Sequence, residues 1–236
     1  MIRDFQKYSY WLTTGIYVLL ALLFFGVLLK SFGYDAVDMW VNFKTERGKQ
    51  GNMIGLLCGF AAYALFLLFL ISPKIRHNLR WFMHFTHELT HTLVALLFFR
   101  RIEEFVVSGR DCYVKYQKSS FGYVPITLSP YCIPIYTFIL FPFRYFGAPQ
   151  YMFAFTYAFH VHSFIRYTRY TQSDIEGCGL ARSTAFISFV HCSVLALILS
   201  MPKGGMKLAI QRVFWEYPIQ FLTDPLGWIH DVVKFF

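Results

Sequence analysis

Long stretches of this 236-residue chain carry no Asp, Glu, Lys or Arg. They run from Tyr8 to Leu29, Gly51 to Pro73, Trp81 to His87, Leu89 to Phe99, Ser119 to Phe143, Tyr145 to Ile165 and Ser183 to Pro202. A membrane-spanning helix needs about 20 mostly apolar residues, and several of these runs reach that length. Only 15% of residues are charged, against about 25% in a soluble domain. The runs predict about six membrane helices, near residues 8–29, 53–72, 79–99, 125–143, 150–168 and 184–201. Little chain remains between them. The expected fold is therefore an all-α polytopic membrane protein without a soluble domain.

The chain divides into an N-terminal membrane hairpin of two helices (1–78), a membrane core (79–202) and a tail (203–236). The first run is longer than a signal-peptide core, and Leu28-Leu29-Lys30-Ser31-Phe32 offers no small-residue cleavage site, so it is expected to stay as an anchor. The tail sets Phe214, Trp215, Phe221 and Trp228 among scattered charges, and Pro218 and Pro225 interrupt it. Such a segment predicts short amphipathic helices lying in the membrane interface.

The net charge of +9 is spread over every loop. This suits basic segments facing anionic membrane lipid and gives no reason to expect nucleic acid as a partner. Basic residues divide almost evenly between the two sides of the predicted bundle, so they do not fix its orientation. The five cysteines form no CxxC pair, which argues against a disulfide framework and a Cys-based zinc site.

One stretch, His87-Glu88-Leu89-Thr90-His91, places ionisable groups where the apolar pattern should exclude them. It leads directly into Thr92-Leu93-Val94-Ala95-Leu96-Leu97-Phe98-Phe99. Charged groups inside such a helix are costly and mark functional sites. Histidines at i and i+4 share one helix face and can reach one Zn²⁺, while the intervening glutamate can act as general base on water. The structural alternative is a pair of histidines hydrogen-bonded to neighbouring helices. A zinc site also needs a third protein ligand and an open position. The candidates are His84, His160, His162, Asp174, Glu176 and His191. His160 and His162 project about 200° apart on a helix, so at most one can face the site. Asp174 is equally readable as an ordinary loop acid or a helix N-cap.

The HExxH helix and a downstream stretch, Ser173-Asp174-Ile175-Glu176-Gly177-Cys178-Gly179-Leu180-Ala181-Arg182-Ser183-Thr184, together resemble the site-2-protease superfamily of intramembrane zinc metallopeptidases. The similarity is closest to its compact bacterial branch, where an SD pair is followed by LAxxT. Between them, Phe105-Val106-Val107 and Cys112-Tyr113-Val114 flank a turn, similar to the β-hairpin this family places after its HExxH helix. Leu128-Ser129-Pro130-Tyr131 stands where the family begins its next helix. The resemblance implies one Zn²⁺ per chain, with His87, His91 and Asp174 as ligands and Glu88 as catalytic base. His84, His162 and Arg166 are possible supporting residues, with His84, His162 and Ser163 lining a path for water. One feature departs from the family: of its NxxPxPxLDG motif only Asp174-Ile175-Glu176-Gly177 has a counterpart, so no substrate-binding asparagine carries over.

The function implied is zinc-dependent hydrolysis of peptide bonds in membrane-embedded or membrane-proximal substrates. The expected partners are lipid and either a transmembrane substrate or a partner subunit. The branch implies a multi-pass protein of a bacterial inner membrane. The alternative is a non-proteolytic member acting as scaffold in a membrane complex. The spacing poses a geometric problem: if 125–143 and 150–168 both span, Asp174 emerges on the side opposite the start of the HExxH helix. Either that helix begins near Lys74, or 125–143 is kinked or re-entrant around its four prolines.

Overall fold

The uncharged runs do form helices, but these are shorter and more broken than the runs themselves. The computed structural model describes residues 2–37, 47–69, 73–108, 112–117, 119–145, 150–169 and 171–234. Helix α1 (Ile2–Lys30) continues as π-helical turns over Ser31–Val37. Helices α2 (Arg47–Leu68) and α3 (Pro73–Leu97) follow. Strands β1 (Ile102–Val107) and β2 (Cys112–Tyr116) pair antiparallel, as the sequence predicts. Then come α4 (Tyr123–Cys132), α5 (Ile135–Tyr145), α6 (Gln150–Tyr167), the short α7 (Ser173–Cys178) and the long α8 (Leu180–Gln211). Two short helices, α9 (Tyr217–Thr223) and α10 (Pro225–Val233), close the described chain. The protein is mostly helical with one small two-stranded sheet.

Among the described residues, Tyr8–Gly33 and Leu180–Met201 are long and apolar enough to cross a membrane. The count rises to three when α4 and α5, bent by 83°, are taken as one broken span. The expectation of about six spans is thus not confirmed among the described residues. The reason is physical: a run without formal charge is not yet a long apolar helix. The apolar part of α2 is only Ile54–Leu68. Helix α3 opens on Lys74, Arg76, His77, Asn78 and Arg80. Helix α6 mixes Gln150, Thr156, His160, His162 and Ser163 among its aromatics.

Prolines set the break at α4–α5. Pro134 has no N–H to give the Pro130 carbonyl, so α4 cannot continue through it. The last turn closes instead through the Ile133 N–H to the Ser129 carbonyl at 2.8 Å. Pro130 acts one turn earlier and leaves the Ile126 carbonyl without its usual helical donor. That carbonyl is used by the site described below.

Around this broken element the long helices pack in pairs. Helix α1 lies along α8, and α2 lies along α6. Helices α1 and α2 thus find their main partners on different helices of the core. Gly55 and Gly59 make the α2–α6 approach close, as small residues spaced by four do in helix pairs. A Cβ at Gly59 would overlap the Tyr151 carbonyl oxygen and lie 2.7 Å from the Ala154 Cβ, whereas one at Gly15 meets nothing within 4 Å. Gly59→Leu is expected to destabilise the protein by about 1–3 kcal/mol or more through overpacking. Gly15→Leu should be nearly neutral. Thermal unfolding of both variants in detergent checks the pair.

Part of the tail packs on α1. Val213 and Tyr217 pack with Phe24 and Val27 of α1, and Trp228 is buried close to Gly26. Lys30, buried at the end of α1, reaches Gln220 Oε1 at 2.6 Å and Asp231 Oδ2 at 3.1 Å. Trp215, Leu222, Leu226, Ile229 and Val233 remain exposed on the other side.

Candidate metal centre

Helix α3 carries His87, Glu88 and His91, and it begins at Pro73, well before the motif. His91 and Glu88 are buried and His87 partly so. The fold brings Asp174 to them on α7, between the end of α6 and the start of α8. Gly179 makes the turn from α7 to α8 at φ +82°, a left-handed conformation suited to glycine. Any Cβ there would strike the Tyr10 ring, with its hydroxyl 2.6 Å away.

Asp174 Oδ2 lies 3.5 Å from His91 Nε2 and 3.8 Å from His87 Nε2. One donor atom from each of the three residues falls within 4.8 Å of the others, the one such cluster found among the described residues. A tetrahedral zinc with bonds of about 2.0–2.1 Å holds its donors roughly 3.3 Å apart. Two imidazoles and one carboxylate at these spacings therefore fit one Zn²⁺ with little adjustment.

The supports of the three side chains agree with that use. His91 Nδ1 is 2.8 Å from the Ile126 carbonyl, so Nδ1 must carry the proton and donate. The Nε2 lone pair is then left facing Asp174, the tautomer a metal ligand needs. The Ile126 carbonyl is the one that Pro130 releases, and it also accepts from Ser129 Oγ at 2.8 Å. Asp174 Oδ2 accepts a hydrogen bond from the Tyr131 hydroxyl at 2.9 Å. Burial alone would raise the Asp174 pKa, but the neighbouring His87 and His91 side chains and the Tyr131 hydroxyl outweigh it and hold the carboxyl well below the usual carboxylate range. Glu88 is next to His87 in sequence, and the Val114 backbone of β2 lies beside its carboxylate. The hairpin, packed on α3, thus touches the residue expected to act as base.

The supporting residues expected from sequence are placed differently. His84 is exposed on α3, and Arg166 is exposed in the last turn of α6. His162 is hydrogen-bonded to the Tyr63 hydroxyl of α2 at 2.7 Å and so points away from the centre. Its neighbour two residues earlier, His160, is the one that turns inward, as their 200° separation allows. His160 and Ser163 line a small cavity with Thr86, Thr90 and Thr156, against His87. Its volume of about 20 Å³ is enough for one water. His160 Nε2, buried there, has no protein partner. Glu176 is exposed and stands outside the cluster. His191 bonds the Tyr131 carbonyl and the Tyr157 hydroxyl and is spent on helix–helix contact. Sequence reasoning passed over Tyr131, which appeared only as part of a helix start.

A histidine pair and a carboxylate thus surround one point beside a glutamate on a largely apolar helical fold, a donor group that could hold a metal ion. Residues 60–171, just under half of the chain, match a family model described as Peptidase M50B-like, and this match supports the resemblance to the site-2-protease family. The match takes in His87, Glu88 and His91 and ends just before Asp174. No curated protein and no solved structure matches the chain.

Proposed function

We propose that this chain is a zinc-dependent intramembrane endopeptidase acting on membrane-embedded or membrane-proximal segments. The observation that carries the reading is the convergence of His87, His91 and Asp174 beside Glu88. A zinc ion in this donor set would supply Lewis acidity toward the scissile carbonyl and make water a nucleophile near neutral pH. Glu88 takes the proton from the attacking water and passes it to the leaving amine. His91 and Asp174 are held in place by Ile126 and Tyr131 and need not reorganise. The cavity lined by His87 and His160 is large enough for one water beside the centre.

We place the substrate on the hairpin side, beside β2. A groove of about 1240 Å³ is lined by Val114, Lys115 and Tyr116 of β2, Thr13 and Tyr17 of α1, and Arg182 of α8. Its size admits a short extended segment, the conformation peptide hydrolysis requires, and its walls carry both polar and aromatic groups. An unwound part of a transmembrane partner suits it better than an intact helix.

The test is metal content followed by cleavage. Purified protein should contain about one zinc per chain, and His87→Ala should reduce it to background. Wild-type protein without any zinc would defeat the proposal.

A further inference from the structure

Among the described residues, Tyr131 is the one side chain besides the three proposed ligands that bonds to a donor atom of the centre. Its hydroxyl donates to Asp174 Oδ2, the same oxygen that faces His91 and His87. Its ring stands edge-on against the His87 ring, with centroids 5.3 Å apart and planes at 84°. The residue is 3% exposed and packs with Leu128, Ile175, Cys178 and Phe186. It therefore touches both polypeptide segments that supply proposed ligands.

Its backbone is pinned as well. Tyr131 lies in the last turn of α4, where the chain breaks before Pro134, so its carbonyl has no helical donor. His191 of α8 fills that role, with Nε2 at 3.0 Å. A carbonyl only accepts, so Nε2 carries the proton and Nδ1 is the acceptor. Nδ1 faces the Tyr157 hydroxyl of α6 at 3.4 Å. Hydrogen bonds thus run from α6 through α8 to the end of α4, and from there to the carboxylate on α7.

A carboxylate oxygen offers two lone pairs. With the phenol on one, Oδ2 has a single lone pair left to direct at an ion. The bond restrains rotation of the carboxylate and keeps Oδ2 as the oxygen that faces the two histidines. A carboxylate without this bond is free to rotate and present both oxygens, which would fill the position that a catalytic zinc site must leave open.

We infer that Tyr131 is a positioning residue of the metal centre: its hydroxyl holds Asp174 as a one-oxygen ligand, and the His191–Tyr157 pair holds Tyr131. This inference rests on the metal-centre reading above. It adds a determinant of coordination geometry, supplied by helices that contribute no ligand.

Tyr131→Phe keeps the ring and its packing and removes only the hydroxyl. The full chain in detergent is titrated with Zn²⁺ against a chromophoric chelator, and separately with Co²⁺, whose visible bands weaken as coordination rises from four to five. Tyr131→Phe is expected to lose about 10–100-fold in zinc affinity, the range for removing an outer-shell partner. It should also give weaker cobalt bands while unfolding at the wild-type temperature without metal. His191→Leu should move the same two readouts in the same direction. His191→Gln, which retains an N–H donor, should restore them. Wild-type affinity and an unchanged cobalt spectrum in Tyr131→Phe would overturn the inference alone. Failure of the wild-type protein to bind either metal would overturn the centre itself, and the inference with it.

Discussion

Glu88→Gln is expected to keep its zinc and to lose cleavage by about 10²–10⁴-fold, the usual contribution of a general base. The amide matches the carboxylate in size and remains a hydrogen-bond acceptor, so fold and metal site should survive. It cannot take a proton from water. Metal content and turnover, measured on the same purified sample, separate the two effects. Retained turnover would place the base elsewhere. A protein that serves only as a scaffold would keep its cellular role unaltered in this variant.

Asp174→Asn acts on the metal itself. Replacing an anionic donor by a neutral amide should weaken zinc binding by more than the roughly 10–100-fold typical of an outer-shell loss. Two effects add. The ion loses a charge partner, and Tyr131 loses its carboxylate acceptor. Chelator competition reads the change, with His87→Ala as the reference for complete loss. Affinity equal to wild type would remove Asp174 from the ligand set.

The chemistry of the centre was more legible in the sequence than the architecture around it. Histidines at i and i+4 share a face on any helix, so His87 and His91 needed no tertiary information. Asp174 needed the resemblance, because an acid in a loop has many ordinary uses. The two routes offered for bringing it to the histidines both occur: α3 begins at Pro73, and the 123–143 segment bends by 83°. The span count was not legible, because absence of charge says little about where prolines and polar residues cut a helix. Tyr131 was invisible for a related reason. It is one of 16 tyrosines, and only the fold of α4 against α7 and α8 sets it apart. The choice between His160 and His162 likewise depended on which face of α6 meets α2, which periodicity alone does not settle.

The proposed donors come from two elements that are distant in sequence, α3 and α7, and neither is joined to the other by a disulfide. An ion shared between them would act as a crosslink on the native arrangement. An unfolded chain would not hold His91 and Asp174 together, so by mass action the ion favours the folded state by about 2.7 kcal/mol at a hundredfold excess over its Kd. The same three side chains that arm the site would then tie the durability of the bundle to the metal supply of its surroundings.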